Sequence, residues 1–452
     1  INVQKAAALF ASITAMPDPA KTGENITVIM TVNNDTAAAN AVNVSITPQT
    51  LEVVVDSDAR TVNLVSSPLP VSRVVTSGTP QFFTWIYALG NGAGHIAFSA
   101  RAIGTDVNAG WGVSSASVST NNIEVNPSAA LSSATIANPG TVSVGQMITV
   151  EVSVTNDGGA ACLNVTAPLL DVSNGSRAVY LSGPSPASVS LVAGASTVFV
   201  FTYSANGSGN VWFSGNAQGT DAIFGAVQSE KTASGQVVIE SALSLAAQFV
   251  MPAAQVSTGQ TITLAMSVTN TGDANGLNVS AETPAVSGAG NVTLVDSPAA
   301  IPLNGGASAV LVWTYTATAP GTVYFTSRAF GTDENSGVVR YSGQATSANV
   351  SIQSPARLSA AIAAVPSAVG VGQDITVILA VSNSGQAAAN NVAPSGFANI
   401  GTVTGSMSGP SPAGADIAGA ETAYFTWIYT PSIVGTARFE VSASGTDNNS
   451  GL

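Results

Sequence analysis

Apolar and polar residues alternate along four stretches of this chain, and the four stretches are variants of one another. Ile26, Val28, Met30 and Val32 alternate with residues such as Thr27 and Thr31, and the same spacing returns at Ile148/Val150/Val152/Val154, Ile262/Leu264/Met266/Val268 and Ile375/Val377/Leu379/Val381. A period of two with one apolar face predicts a half-buried antiparallel strand. Each stretch opens just after a glycine (Gly23, Gly145, Gly259, Gly372), at spacings of 122, 114 and 113 residues. Each then meets an asparagine and a turn: Asn34-Asp35, Asn156-Asp157-Gly158, Asn270-Thr271-Gly272 and Asn383-Ser384-Gly385. Such side chains bond their own turn and tolerate left-handed backbone, so they end the strand.

Three further landmarks follow in the same order. Large side chains alternate at Phe83/Trp85/Tyr87, Phe199/Phe201/Tyr203, Leu311/Trp313/Tyr315 and Phe425/Trp427/Tyr429. We read them as core rather than as a carbohydrate-stacking platform, because they recur at strand spacing beside other apolar residues. Phe98, Phe213, Phe325 and Phe439 each precede by six residues a glycine that is followed by Thr-Asp. Short β-branched strands end at Val125, Ile239 and Ile352, each with a leucine six residues on (Leu131, Leu245, Leu358), and Val3 and Leu9 repeat that pair.

Seven or so short strands in each copy, with turn residues between them and no helical period, predict an all-β chain of four tandem immunoglobulin-like Greek-key β-sandwiches. Propeller blades run about 40 to 50 residues, far below this period. The expected boundaries are 5–126, 127–240, 241–353 and 354–452, with residues 1–4 forming the end strand of a preceding repeat or a donor strand, and the fourth copy lacking its last strand. Junctions such as "NPSAA", "ESALS" and "QSPAR" leave little slack, so the copies are expected to form an elongated rod roughly 150 Å long. The favoured reading is a window from a longer array; strand addition between copies is the alternative.

Composition narrows the function classes. Only 8% of the 452 residues are charged, and 11 basic against 24 acidic residues leave a net charge of −13. No electropositive stripe exists to hold phosphates, so nucleic acid is excluded as a partner. The single cysteine, Cys162, aligns with Gly276 and Ala389, which reads as a small buried or loop residue and rules out a disulfide framework. No apolar run is long enough to predict a membrane-spanning helix. Asn-x-Ser/Thr triplets at Asn25, Asn34, Asn43, Asn164, Asn174, Asn206, Asn278, Asn291, Asn349 and Asn448 permit glycosylation and fit a secreted or cell-surface glycoprotein.

The recurrent Asp106, Asp221, Asp333 and Asp447 are the strongest site candidates. Their plain role is to accept backbone hydrogen bonds in the turn after glycine. Calcium is the functional alternative at Asp106, Asp333 and Asp447, since Asp333-Glu334-Asn335 and Asp447-Asn448-Asn449 cluster oxygen donors, whereas Asp221-Ala222-Ile223 supplies one. Asp56 and Asp58, in the longer loop region of the first copy, are further oxygen donors. The sole histidine, His95, aligns with Asn210, Thr322 and Thr436, so neither a triad nor a histidine metal site is expected, and the chain is read as no enzyme and as needing no other cofactor.

The segment "VTNTGDANGLNV" at residues 268–279, preceded by "GQTITL" and followed by the Trp-x-Tyr strand, resembles the CARDB-like, cell-adhesion-related immunoglobulin-like repeats of bacteria and archaea. That resemblance implies a spacer or adhesive module and no catalytic residues. The expected function is a subunit or stalk of an extracellular fibre, filament, sheath or surface layer that self-associates end to end or laterally. The alternatives are an adhesin or carbohydrate-binding region that meets glycans or cell-surface partners through loops between Val44 and Thr79, and a spacer of a larger secreted enzyme.

Overall fold

The four alternating stretches fold as strands Asn25–Asn34, Met147–Asn156, Thr261–Asn270 and Ile375–Asn383 in the computed structural model, which describes residues 1, 3–56, 61–250 and 255–452. Their inward residues are buried and their outward ones half-buried, as the period of two requires. Among the described residues every regular element is a strand.

Each of these strands is the second in a four-stranded sheet whose order is the same every time. The order is Leu9–Met16, Asn25–Asn34, Gln81–Leu89, Val62–Ser66 in the first instance and Leu131–Asn138, Met147–Asn156, Ser196–Ala205, Ala178–Ser185 in the second. It continues as Leu245–Val250, Thr261–Asn270, Ser308–Ala319, Asn291–Asp296 and as Leu358–Val365, Ile375–Asn383, Thr422–Pro431, Gly405–Ser411. The pairing is antiparallel throughout, so the apolar period of one strand meets that of the next: Val28 lies opposite Trp85, Leu264 opposite Trp313 and Val377 opposite Trp427. Cross-strand pairs of this kind, branched aliphatic against aromatic, are a main stabiliser of a sheet.

A second layer packs against each of these sheets. In the first instance it contains Ala20–Lys21, Ile123–Asn126, Gly94–Asp106, Ala41–Val55 and Ser72–Val75, with Ala20–Lys21 running parallel to Ile123–Asn126. Side chains of both layers meet in one buried cluster that includes Met30, Trp85, Phe98 and Val125. Trp313, Phe325 and Ile352 do the same in the third instance, and Trp427, Val392 and Ile417 in the fourth. Two sheets sharing one core make a β-sandwich.

The chain divides into two compact units. One comprises residues 1–140, 147–206 and 210–237, and the other residues 141–146, 207–209 and 238–452. Within the first unit lie the first two four-stranded sheets, and within the second lie the last two.

One departure concerns the longer region of the first copy, expected as a loop. Residues there form the 15-residue strand Ala41–Val55, whose register against Gly94–Asp106 shifts twice. The shifts absorb the extra residues as bulges, which keeps the strand paired. Asp58 lies outside the described residues.

Candidate functional site

The asparagine that ends each alternating strand and the aspartate of each Gly-Thr-Asp turn, more than 60 residues apart in sequence, act on neighbouring backbone groups. Asn34, Asn156, Asn270 and Asn383 are all buried. Their carbonyl oxygens accept from the N–H groups of Ala8, Ala130, Ser244 and Arg357 at 3.0, 3.2, 3.4 and 3.0 Å. Their amide groups donate to Ala39, Ala160, Ala274 and Ala387 carbonyls at 2.7 to 2.8 Å. The N–H just before each of those first acceptors' donors belongs to the aspartate: Ala7, Ala129, Leu243 and Ala356 donate to Asp106, Asp221, Asp333 and Asp447 at 2.7 Å. Two consecutive N–H groups of the lead-in to every first strand are thereby held by two buried side chains. A buried polar group without a partner costs about 1–3 kcal/mol, so the pair is a latch with both halves needed.

The other carboxylate oxygen of each aspartate binds its own turn. That of Asp106 accepts from Asn108 and Ala109, and that of Asp333 from the N–H and hydroxyl of Ser336, all at 2.8 Å. The glycine two residues earlier is dictated by close packing. A Cβ at Gly331 would stand 2.8 Å from Cγ2 of Val279, and one at Gly445 would stand 2.6 Å from Cγ2 of Val392. Those valines follow a second recurrent asparagine, which the sequence marks only as a glycosylation triplet at Asn43, Asn164 and Asn278. Asn43, Asn164, Asn278 and Asn391 all have left-handed backbone, with φ between 50° and 54°, at a register shift in their strand. The "Asn-Val" pairs that carry it are visible in the sequence, but only the bulge explains them.

In the second unit the aspartate turns also meet residues of the preceding copy. Ser143 donates its hydroxyl to Asp333 at 3.0 Å, and Asn335 donates to Glu240 at 2.7 Å and to Ser143 at 3.2 Å. Gln146 accepts from the Ser143 N–H at 2.6 Å and donates to the Asn335 carbonyl at 3.0 Å. The same set recurs with every member shifted by one copy: Ser257 to Asp447 at 3.2 Å, Asn449 to Gln353 at 2.9 Å, and Gln260 to the Asn449 carbonyl at 3.0 Å. In the first unit Lys21 replaces the serine and lies 4.9 Å from the Phe224 ring; burial opposes ionisation of Asp221, but the N–H groups of Ala129, Phe224 and Ile223, with the Lys21 charge adding to them, hold its carboxyl below the ordinary carboxylate value.

Electrostatics follow from these donors. N–H groups of Ala7 and Ala109 hold the Asp106 carboxyl below the ordinary carboxylate value. Burial works against ionisation at Asp333 and Asp447, but the backbone N–H groups of Leu243 and Ser336, and of Ala356 and Ser450, outweigh it and keep both lowered.

The donor set also tests the calcium reading. N–H and O–H groups surround Asp106, Asp333 and Asp447, and these suit an anion rather than a cation. Glu334 accepts from Asn275 at 2.8 Å, Asn335 turns its amide nitrogen to Ser143 and Glu240, and the Asn448 oxygen accepts from Asn390. The side-chain oxygens clustered in sequence are thus divided among separate partners, and the residues do not fit calcium. Asp56 accepts from the His95 N–H at 2.9 Å and lies 2.8 Å from its ring Nδ1.

Of the glycosylation candidates, Asn25, Asn43, Asn164, Asn174, Asn206, Asn278, Asn291, Asn349 and Asn448 are exposed. Asn34 is the correction: it is buried and its amide nitrogen is committed to the Ala39 and Val75 carbonyls, so no sugar can be attached there. Cys162 is buried on the strand Cys162–Thr166, and burial together with the nearby Asp221 pushes its thiol up, away from the reactive thiolate.

No family model matches the chain, and no curated protein matches it. Among solved structures it is similar to the native form of the E. coli alpha-2-macroglobulin, at 13% identity and a TM-score of 0.21, over 83% of this chain and 24% of that one. It is also similar to the secreted serine protease VesC from Vibrio cholerae, at 12% identity and a TM-score of 0.17, over 44% of this chain and 50% of that one. The C-terminal domain of the Streptococcus agalactiae AgI/II polypeptide BspA matches at 11% identity and a TM-score of 0.20, over 51% of this chain and 99% of that domain. The chain thus spans about a quarter of the first of these and half of the second. Among the described residues no helix is long and apolar enough to cross a membrane.

Proposed function

We propose that this chain is a non-enzymatic structural protein of the extracellular surface, four immunoglobulin-like sandwiches in series that serve as a repeat subunit or stalk of a fibre, filament, sheath or surface layer. The observation that carries the reading is the repeated junction: Ser143, Gln146 and Glu240 hold the Asp333 turn as Ser257, Gln260 and Gln353 hold the Asp447 turn. A contact that recurs at the same positions around two successive aspartate turns, with glutamate in one and glutamine in the other, is a property useful to a load-bearing element and needless in a loosely linked binding module. Exposed Asn-x-Ser/Thr sites and a weakly charged surface support an extracellular setting.

Electron microscopy of native surface material, with an antibody to this chain, tests the proposal. Labelled filaments or ordered arrays are expected. Label confined to dispersed molecules, with glycan binding mapped to residues 44–79, would replace the structural reading with the adhesin reading.

A further inference from the structure

Each four-stranded sheet turns one face to its core, and the residues of its other face are half-buried or exposed. That outer face is nearly free of charge. The chain has 11 basic and 24 acidic residues, yet among the described residues only Glu151 and Asp296 lie on the strands of these four sheets. Charge sits on the other layer instead. In the first copy that layer holds Lys21, Glu52, Arg73, Arg101 and Glu124 besides Asp106.

One outward position of these sheets is a large apolar residue in every copy. Phe82, Val198, Val310 and Tyr424 each stand just before the first core residue of their strand and are 53, 41, 57 and 61% exposed. Their partners across the sheet are Thr31, Ser153, Ser267 and Ala380, too small to cover them. A single exposed apolar residue is ordinary on a protein surface. The same register position filled four times by Phe, Val, Val and Tyr is a repeated anchor.

The hydroxyls beside these anchors are already satisfied. Thr155 and Ser196 bond one another at 2.9 Å, Thr269 and Ser308 at 2.7 Å, and Ser382 and Thr422 at 2.7 Å. Hydroxyls bonded within the sheet lose less when water is removed, so the face is cheap to cover.

Charge selects the occupant. A net charge of −13 makes two copies of the chain repel wherever their charged layers meet. The uncharged faces escape that repulsion. A basic partner finds almost no carboxylate on them, and a sugar finds no ring to stack on at Val198 or Val310. Another such sheet fits, because two sheets with alternating side chains pack about 10 Å apart. We infer that the outer faces of the four-stranded sheets are lateral docking surfaces for the same faces of a second copy of this chain, anchored by Phe82, Val198, Val310 and Tyr424. The inference deepens the structural reading and rests on it by naming the surface through which subunits pack side by side. Four strands of about ten residues present roughly 600 Å². Since a stable interface takes about 800 Å² per partner, one sheet alone holds weakly, and repetition of the face along the chain supplies the remainder.

Sedimentation of the full chain in sodium chloride from about 0.05 to about 1 M tests this. Association is expected to tighten about fivefold as salt screens the net charge, whereas an ion-paired contact would loosen. The variant Phe82→Glu, Val198→Glu, Val310→Glu, Tyr424→Glu should associate about tenfold more weakly than the parent in high salt. A control with Trp111→Glu, Leu163→Glu, Leu277→Glu and Val339→Glu, also exposed positions, adds the same charge outside these sheets and should stay within about twofold of the parent. Circular dichroism checks that both keep their strands. The milder pair Phe82→Thr, Tyr424→Thr retains strand propensity and should still weaken association about threefold. A parent that is monomeric at about 100 µM in high salt overturns the inference, as does association that loosens with salt or falls equally in both fourfold variants. Micrographs of native material test the structural reading separately, so filaments there beside a monomeric parent remove this interface alone.

Discussion

The third and fourth copies share their sequence pattern but not the state of their first strands. Leu245–Val250 buries Leu245 and packs Ala247 and Phe249 against the core, whereas in Leu358–Val365 the counterpart Leu358 is only half-buried and Ala360 and Ile362 are exposed, Ile362 to 42%. Both strands pair fully with their neighbour, over Leu245 to Val250 and over Leu358 to Val365. Pairing therefore does not bury a strand. What differs among the described residues is the second layer: Ala345–Thr346 and Val350–Gln353 cover the core edge in the third copy, and no described strand stands at the equivalent place in the fourth. The comparison teaches that one short closing strand decides whether an otherwise complete sheet has a finished core.

The sharpest way to break the contrast is to impose the fourth copy's condition on the third. Ile352→Asp places a charge at a position 2% exposed, and burying an unpaired charge costs about 3–5 kcal/mol or expels the strand. Hydrogen exchange should then show Leu245–Val250 losing protection to the level of Leu358–Val365. Equal protection of the two strands before mutation would show that the closing strand is not the cause.

A smaller effect is expected at the latch. Asp333→Ala removes acceptors for Leu243, Ser336 and Ser143 and should cost about 3 kcal/mol in denaturant unfolding of its copy. Its pH dependence is fixed in sign. The folded-state values of Asp106, Asp333 and Asp447 lie below the ordinary value of 3.8, so their stabilisation is present above about pH 4 and is lost as pH falls through the folded values. Unfolding midpoints should be flat from neutrality to about pH 5 and then drop, less steeply in Asp333→Asn than in the parent. Calcium should do little in either copy. Millimolar calcium or excess chelator is expected to move the melting temperature by less than about 1 °C, and a calcium-dependent rise of several degrees would restore the cation reading of these turns.

The smallest effect separates two core tyrosines. The Tyr429 hydroxyl accepts from Asn399 at 3.0 Å, whereas that of Tyr315 has no partner among the described residues and burial pushes its pKa above the ordinary phenol value. Tyr429→Phe should cost about 1 kcal/mol, and Tyr315→Phe should be neutral or slightly stabilising by thermal unfolding.

Strand period, turn residues and the aromatic core were legible in the chain because each is a local or repeated feature. Alternation over nine residues states which face is apolar, and Trp85, Trp313 and Trp427 are buried where their spacing put them. The Gly-Thr-Asp turns were found for the same reason. Their partners were not, since Ser143 and Asp333 are 190 residues apart and no periodicity links a serine in one copy to an aspartate in the next. The clustered oxygens of residues 333–335 suggested a cation for lack of that information.

From the sequence alone, then, came a chain of alternating strands repeated four times, with an inward face and a punctuated turn for each. Only the tertiary structure decided that Asn34 is buried beyond the reach of a sugar, and that the aspartates reach beyond their own turns to the lead-in N–H groups of Ala7, Ala129, Leu243 and Ala356 and, for Asp333, to the Ser143 hydroxyl. The reason is physical. Side-chain direction along a strand is set by the backbone itself, whereas the hydrogen-bond partners and cover of a residue depend on which distant segment the topology brings beside it.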